Sequence, residues 1–219
     1  FLPKFSPNFY TVKNKEGLKD ALENLGFPEK KVVIKPRFGR GGRGVYTLIK
    51  KIDFQPFFSN KPSNLITYTA LQEIFPEKKD FEEFIVMECL VKDFTSVYSI
   101  LIEDEMISMT HRREWGSASQ TLRGVTSYDP FFKNICSQIA KKYNLNYTFN
   151  LELAKNEDGK FKVFDLNPRI GASSAIDRDL GVNFPYLSVK KALNEKIDFY
   201  LNKNINKRFI RYFDYVWED

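Results

Sequence analysis

Residues Asn150 to Arg169 read NLELAKNEDGKFKVFDLNPR, two runs with alternating apolar positions on either side of Asp158-Gly159. An Asp-Gly pair in this setting predicts a two-residue β-hairpin, because both central positions need positive φ and these residues tolerate it. With Glu157 opposite Lys160, Glu152 falls opposite Asp165 and Asn150 opposite Asn167. Side chains alternate faces along a strand, so Asn150, Glu152, Asp165 and Asn167 share one face, while Leu151, Leu153, Phe164 and Leu166 share the other. Directly opposed residues have Cβ atoms about 5 Å apart, and like charges there repel. Two readings fit: a solvated acidic hairpin, or a site where a divalent cation removes the conflict. All-oxygen ligation by few carboxylates, completed by water or phosphate, is what Mg2+ prefers.

A second segment, Lys31 to Tyr46, reads KVVIKPRFGRGGRGVY. A β-branched run ends at Lys35-Pro36, a loop follows with Gly39, Gly41, Gly42 and Gly44, and a further apolar run begins. Glycines let a backbone turn tightly and bring N–H groups close to an anion, and a lysine on the preceding strand adds a fixed positive charge. The pattern suits a phosphate clasp or an ordinary hairpin tip. It is not a Walker A loop, since no Gly-Lys-Ser/Thr follows, and a strand stands where the dinucleotide fingerprint needs a helix.

Taken together, VVIKPRFGRGGRGV and the distant E-L-A…F-D-L-N-P-R resemble the ATP-grasp superfamily, nearest to its carbamoyl phosphate synthetase-like members. The resemblance runs from about Val12 to Asn194, and D-L-N-P-R is its most specific part. FIVMECLVKDFTSVYSIL, Phe84 to Leu101, resembles the family's inter-lobe strand, whose backbone holds adenine. Two departures are Asp165, where Glu is commoner, and Cys89, where a bulkier residue is frequent.

The resemblance implies an α+β ATP-grasp fold of two lobes, each with an antiparallel sheet and helices, with nucleotide bound between them. It places the small lobe at residues 1–83 and the large, metal-binding lobe at 84–219. It implies an ATP- and Mg2+-dependent ligase that activates a carboxylate as an acyl phosphate for attack by an amine or similar nucleophile. The alternative is a non-catalytic ATP-binding regulatory module. Glu152, Asp165 and Asn167 would hold one or two Mg2+ ions, with Mn2+ as a substitute. Asn167 and Arg169 would be catalytic, and Lys35, the four loop glycines, Met87, Glu88 and Val91 would bind the nucleotide. A Met in a strand, as Met87 is read, is more often core than a purine contact. Family members usually carry a further domain before these lobes, so a partner domain or chain is expected.

The remaining cations concentrate in MTHRREWGSASQTLRGVTS, Met109 to Ser127, which Gly116 and Gly124 make loop-like. Arg112, Arg113 and Arg123 are the candidates for an anionic substrate, since a guanidinium fork matches a carboxylate or acyl phosphate; Arg178, further on, equally faces the cleft or pairs with Asp177 or Asp179 or neither. His111, the one histidine, is the lesser candidate as a base.

Composition is consistent with this reading and restricts partners. A chain of 219 residues, 42% hydrophobic, can bury one large core or two small ones. No apolar run approaches the roughly 20 residues of a membrane span, and Cys89 and Cys136 are too few for a disulfide framework or zinc site. A cytoplasmic protein with small-molecule substrates is expected, binding neither membrane nor nucleic acid. The net charge of +6 comes from lysines spread along the chain, and the aromatics lie mainly in apolar strand patterns.

Helical spacing predicts helices over Lys15–Leu25, stopped by Gly26, and over Asp129–Tyr143, with Asp129-Pro130 at the start. Asp53 to Lys79, with Phe54, Phe57, Phe58, Phe75 and several prolines, suits irregular turns and short strands more than long helices. A hairpin is expected about Asp104, short helices over Ser173–Leu180 and Pro185–Leu193 with the serines as N-caps, and a last strand over Phe209–Trp217.

Overall fold

The computed structural model describes residues 2–39, 42–51, 64–74, 83–116, 121–212 and 214. It divides into a unit of Pro7–Val91 and a unit of Phe1–Ser6 with Lys92–Asp219.

The first unit is a five-stranded sheet in the order β1-β5-β2-β3-β4. Its strands are β1 (Phe9–Val12), β2 (Val32–Pro36), β3 (Tyr46–Ile49), β4 (Leu65–Thr67) and β5 (Phe84–Glu88). All pairs are antiparallel except β3 with β4. Helix α1 (Lys15–Asn24) starts where Asn14 accepts a hydrogen bond from the Gly17 amide, and Gly26 follows its end at φ +82°. Its spacing buries Leu18, Ala21 and Leu22 against Val32, Ile34, Leu48 and Val86, each leucine contributing about 2 kcal/mol. Helix α2 (Tyr68–Ile74) adds Leu71 to this core. Strand β5 lies between β1 and β2, so the division falls after Val91 rather than after Glu83. The phenylalanines that suggested irregular structure, Phe54, Phe57, Phe58 and Phe75, lie outside the described residues.

The second unit is a six-stranded antiparallel sheet in the order β10-β9-β6-β7-β8-β11. The strands are β6 (Lys92–Ile102), β7 (Glu105–Gly116), β8 (Thr121–Ser127), β9 (Phe149–Lys155), β10 (Phe161–Asn167) and β11 (Asn206–Ile210). Helix α3 (Pro130–Tyr143) buries Phe132, Ile135 and Ile139 against Val97, Leu151, Leu153 and Val163 on one face. Cys136 lies in that core, where burial pushes its thiol up to about 12. On the other face, Tyr98, Ile100, Ile107 and Met109 meet Val182, Phe184 and Leu187, the last two from α5 (Phe184–Ala192). A short α4 (Ala175–Arg178) precedes it. No described helix is long and apolar enough to cross a membrane.

Three expectations change. The described residues of Met109–Ser127 are not loop-like, 117–120 lying outside them: β7 continues to Gly116 and β8 begins at Thr121, because the turn at Glu103–Asp104 sets Ile102 opposite Glu105 and the ladder continues unbroken through Thr95↔Arg112. The last described strand is Asn206–Ile210, held on β8 by Phe209↔Gly124, while 213 and 215–217 of the expected strand lie outside the described residues. The serines do not cap α4, since the Ser174 hydroxyl donates to the Gly171 carbonyl at 2.7 Å and Ser173 accepts from Arg211 at 3.0 Å.

The deciding hairpin reaches its facing pair by a different route. The turn is one residue longer than a two-residue turn: the Asn156 amide donates to the Lys160 carbonyl at 3.0 Å, and only Gly159, at φ +76°, is left-handed. Phe161 therefore pairs with Lys155 and Val163 with Leu153, one residue out of the expected register. A bulge between Val163 and Asp165 restores it, so Asp165 does face Glu152, and Asn167 faces Asn150. The bulge also sends Val163 into the core, while Phe164 packs edge-on to Phe94 at 6.2 Å.

Candidate functional site

The acid face begins with two opposed carboxylates, Glu152 on β9 and Asp165 on β10. Glu152 accepts from the Ser96 hydroxyl at 2.9 Å and from the Asn150 amide at 3.4 Å, and lies 3.9 Å from the Arg113 guanidinium. Asp165 accepts from the Asn167 amide at 2.9 Å, and the Asn167 oxygen accepts from Arg169 at 3.4 Å. Burial pushes the Glu152 carboxyl above its usual 4.5, Asp165 adds to that, and Ser96 and Arg113 oppose it. The group is thus held where ionisation is costly beside a second carboxylate.

Those residues fit an oxygen-ligated cation. Among the described residues no cluster of three or more His, Cys, Asp or Glu is placed to hold a metal, so the set rests on two carboxylates and amide oxygens. The Asn150 Oδ1 atom is buried without a hydrogen-bond partner on this same face, and an orphaned buried acceptor calls for a donor or cation. Nothing but oxygen is offered, which suits Mg2+.

The sign of the Glu152 shift yields a test. A carboxyl raised in the folded state stabilises fully below 4.5, and that contribution is lost as pH rises through the raised value. Without divalent metal, Glu152→Gln should therefore melt higher than the parent at pH 7 and no higher at pH 4. Equal melting shifts at both pH values would show that the ionised Glu152 carries no such cost.

Strand alternation separates the four candidate arginines. Arg113 shares the acid face and donates to Thr121 Oγ1 at 3.1 Å. Arg112 and Arg123 belong to the opposite face, where Arg123 and Arg208 both bind Glu114, at 3.0 and 3.2 Å. Arg178 is exposed and paired with Asp179 at 2.9 Å. The four therefore do not share one face, and Arg178 takes the pairing with Asp179 that stood as the alternative to facing the cleft.

Arg169 leaves β10 on a loop whose packing is fixed from below. It is exposed and donates to the Ile170 carbonyl at 3.1 Å. At Gly171 an added Cβ would stand 2.4 Å from the Tyr98 ring, so only glycine allows this approach. Burial raises the Tyr98 phenol above its usual range, with Ser173 and Ser96 opposing the shift. Tyr98 and the Ser96–Glu152 hydrogen bond thus lie beneath the loop. Beside it, His111 and Asp177, both 0% exposed, lie 2.7 Å apart, and Thr126 donates to the same Asp177 oxygen at 3.0 Å. His111 is therefore a buried partner of α4, not a base open to substrate.

Ser96, Tyr98 and Asp177 were not among the expected site residues. Ser96 reaches Glu152 because β6 lies beside β9, and Asp177 reaches His111 across 66 residues. No local spacing signals either contact.

In the first unit, Val33, Lys35, Ile85 and Met87 share the sheet face opposite α1, by the pairings Val33↔Met87 and Lys35↔Ile85. Gly42 and Gly44 have φ of +71° and +72°, and a Cβ on Gly44 would stand 2.9 Å from the Pro36 ring. Gly39 is exposed, and Gly41 lies outside the described residues. Met87 is 4% exposed. The Glu88 side chain accepts from the Asn8 amide at 2.8 Å, which commits it to joining β5 to the segment before β1. Val91 is exposed.

A family model described as "ATP-grasp in the biosynthetic pathway with Ter operon" matches residues 80–211, more than half of the chain. A comparison with curated protein sequences finds no match. Among solved structures, the ADP complex of an N5-carboxyaminoimidazole ribonucleotide synthetase aligns over 93% of this chain and 50% of its own, at 17% identity and TM-score 0.62. The corresponding synthetase of Thermotoga maritima aligns over 93% and 47%, at 15% identity and TM-score 0.60. The biotin carboxylase domain of Hydrogenobacter thermophilus 2-oxoglutarate carboxylase, solved with MgADP, ADP and bicarbonate, aligns over 91% and 44%, at 16% identity and TM-score 0.61. The likeness is one of fold, and the chain spans about half the length of these proteins.

Proposed function

The chain belongs to the ATP-grasp family, and on that premise we propose that it uses Mg·ATP to activate a carboxylate as an acyl phosphate for an amine or similar nucleophile. The observation that carries this reading is the facing of Glu152 and Asp165 beside Asn167 and Arg169. Glu152, Asp165 and Asn167 would hold Mg2+, or Mn2+ in its place, as one ion or two. When bound, the cation offsets phosphate charge and aligns the γ-phosphoryl group.

The chain's own residues supply binding and orientation. Lys35 contacts the α and β phosphates, and the loop of Gly39, Gly41, Gly42 and Gly44 presents backbone N–H groups to them. Backbone groups at Glu88 and Val91 recognise adenine, with Met87 on the same strand. Arg169, its guanidinium exposed at the end of β10, binds phosphoryl oxygens in a bidentate manner. A carboxylate oxygen of the acceptor attacks the γ-phosphorus, the bond to ADP breaks, and ADP leaves. The amine then attacks the acyl carbon, phosphate leaves, and the amine proton passes to solvent. Arg113 orients the acceptor carboxylate. A further domain or partner chain would supply the rest of the acceptor site, and the cytoplasm, with its ATP pool and reduced thiols, is the compartment this reading implies.

The test is ADP release from Mg·ATP by the purified chain against a panel of carboxylates crossed with amines. Release that needs one acid and one nucleophile together supports the ligase. Tight Mg·ATP binding with no release across the panel favours the non-catalytic module instead.

Arg113→Ala should leave ATP affinity within a few-fold while raising the acceptor KM or abolishing its turnover, as expected when an interaction with the second substrate is lost. A tenfold weakening of ATP binding without acceptor, about 1.4 kcal/mol, would instead place Arg113 at the nucleotide.

A further inference from the structure

We propose that the larger sheet carries a second binding site, for a small organic anion with an aromatic or apolar body, on the face turned away from Glu152. A trough of about 510 Å³ crosses this face beside the start of α3, a size within the roughly 300–1,000 Å³ of small-molecule sites. Its floor includes Thr95, Thr110 and Arg112, with Thr95 and Arg112 directly opposed in register. Thr110 is 3% exposed, yet its hydroxyl has no hydrogen-bond partner. A buried hydroxyl left in that state is the exception that a ligand would explain.

Charge selects an anion. Both acids of the trough are engaged: Asp93 pairs with Lys155 at 2.7 Å, and Asp129 caps α3 through the Phe131 amide at 2.9 Å. Among the described residues the Arg112 side chain forms no hydrogen bond or ion pair; its charge acts on Asp93, which Lys155 already holds, so the guanidinium fork is open to an oxyanion. Lys203 supplies a second cation from the far side, over the Tyr128 ring at 5.9 Å. Phe132 and Phe161, edge-on at 4.9 Å, line the apolar part. The backbone at Asp93 is left-handed, φ +55°, within the irregularity of β6 between Lys92 and Thr95. Arg112 and Arg113 are consecutive in β7 and face opposite ways, so an anion here lies back to back with the acid face and does not compete for it.

Benzenesulfonate and phenyl phosphate, with benzyl alcohol as the uncharged counterpart, test this by calorimetric titration of the parent, Arg112→Ala, Thr110→Val and Arg113→Ala. The expected result is saturable one-site binding of both anions. It should be at least tenfold weaker for benzyl alcohol and for Arg112→Ala, several-fold weaker for Thr110→Val, and unchanged in Arg113→Ala. The exposed Arg112 and the isosteric Thr110→Val change leave folding intact. No saturable binding, equal affinity for benzyl alcohol, or loss of binding in Arg113→Ala rather than Arg112→Ala would overturn the proposal.

Discussion

Asp165→Asn is expected to lower ATP turnover by about a hundredfold or more, the scale on which removal of one electrostatic contact to a reacting phosphoryl group is felt. The substitution keeps the size of the side chain and an oxygen ligand but removes a charge from the metal set. It also removes the repulsion with Glu152 across the strand pair. Thermal stability without metal should therefore stay level or rise. Turnover against Mg2+ concentration, together with melting of the metal-free variant, checks both halves. Unchanged turnover would remove Asp165 from the site, and a collapse in metal-free stability would make the residue structural.

His111→Ala should cost about 1–3 kcal/mol of stability, the range for leaving a buried polar group without its hydrogen-bond partner. Asp177, 0% exposed beside His111, would keep Thr126 as its side-chain hydrogen-bond donor. The loss should reach the loop as well, since Asp177 anchors α4 just after Gly171 and Ser173. Urea denaturation of His111→Ala, Asp177→Ala and the double variant measures the coupling. A sum of the single losses, with no coupling, would show that the 2.7 Å contact contributes nothing of its own.

How much of this was legible depends on the range of each interaction. Helices α1 and α3 follow from apolar spacing and capping residues a few positions away, and they stand where Asn14, Gly26 and Asp129 put them. The pairing of Glu152 with Asp165 was legible too, although two local irregularities cancel to produce it. The turn adds one residue at Asn156–Lys160, and the bulge after Val163 takes it back. Neither has a distinct signature in Asp-Gly, which serves a three-residue turn as well as a two-residue one.

The stretch that carries Arg112, Arg113 and Arg123 read as a loop for a different reason. Gly116 and Gly124 suggested a loop, yet Gly124 serves close approach within the sheet: an added Cβ would stand 2.5 Å from the Arg112 carbonyl. Once β7 is a strand, alternation alone parts Arg113 from Arg112. Contacts such as Ser96 to Glu152 and His111 to Asp177 depend on sheet order, which nothing within a few residues of either partner encodes. The same holds for β5, whose apolar run has no mark of the sheet it joins.

The central claim is that nucleotide binding here depends on a cation held by the facing carboxylates. Calorimetric titration of the chain with ATP, in excess Mg2+ and then with divalent metal chelated, tests it most directly. The account predicts binding that weakens at least tenfold on chelation. Equal affinity in the two conditions would contradict it.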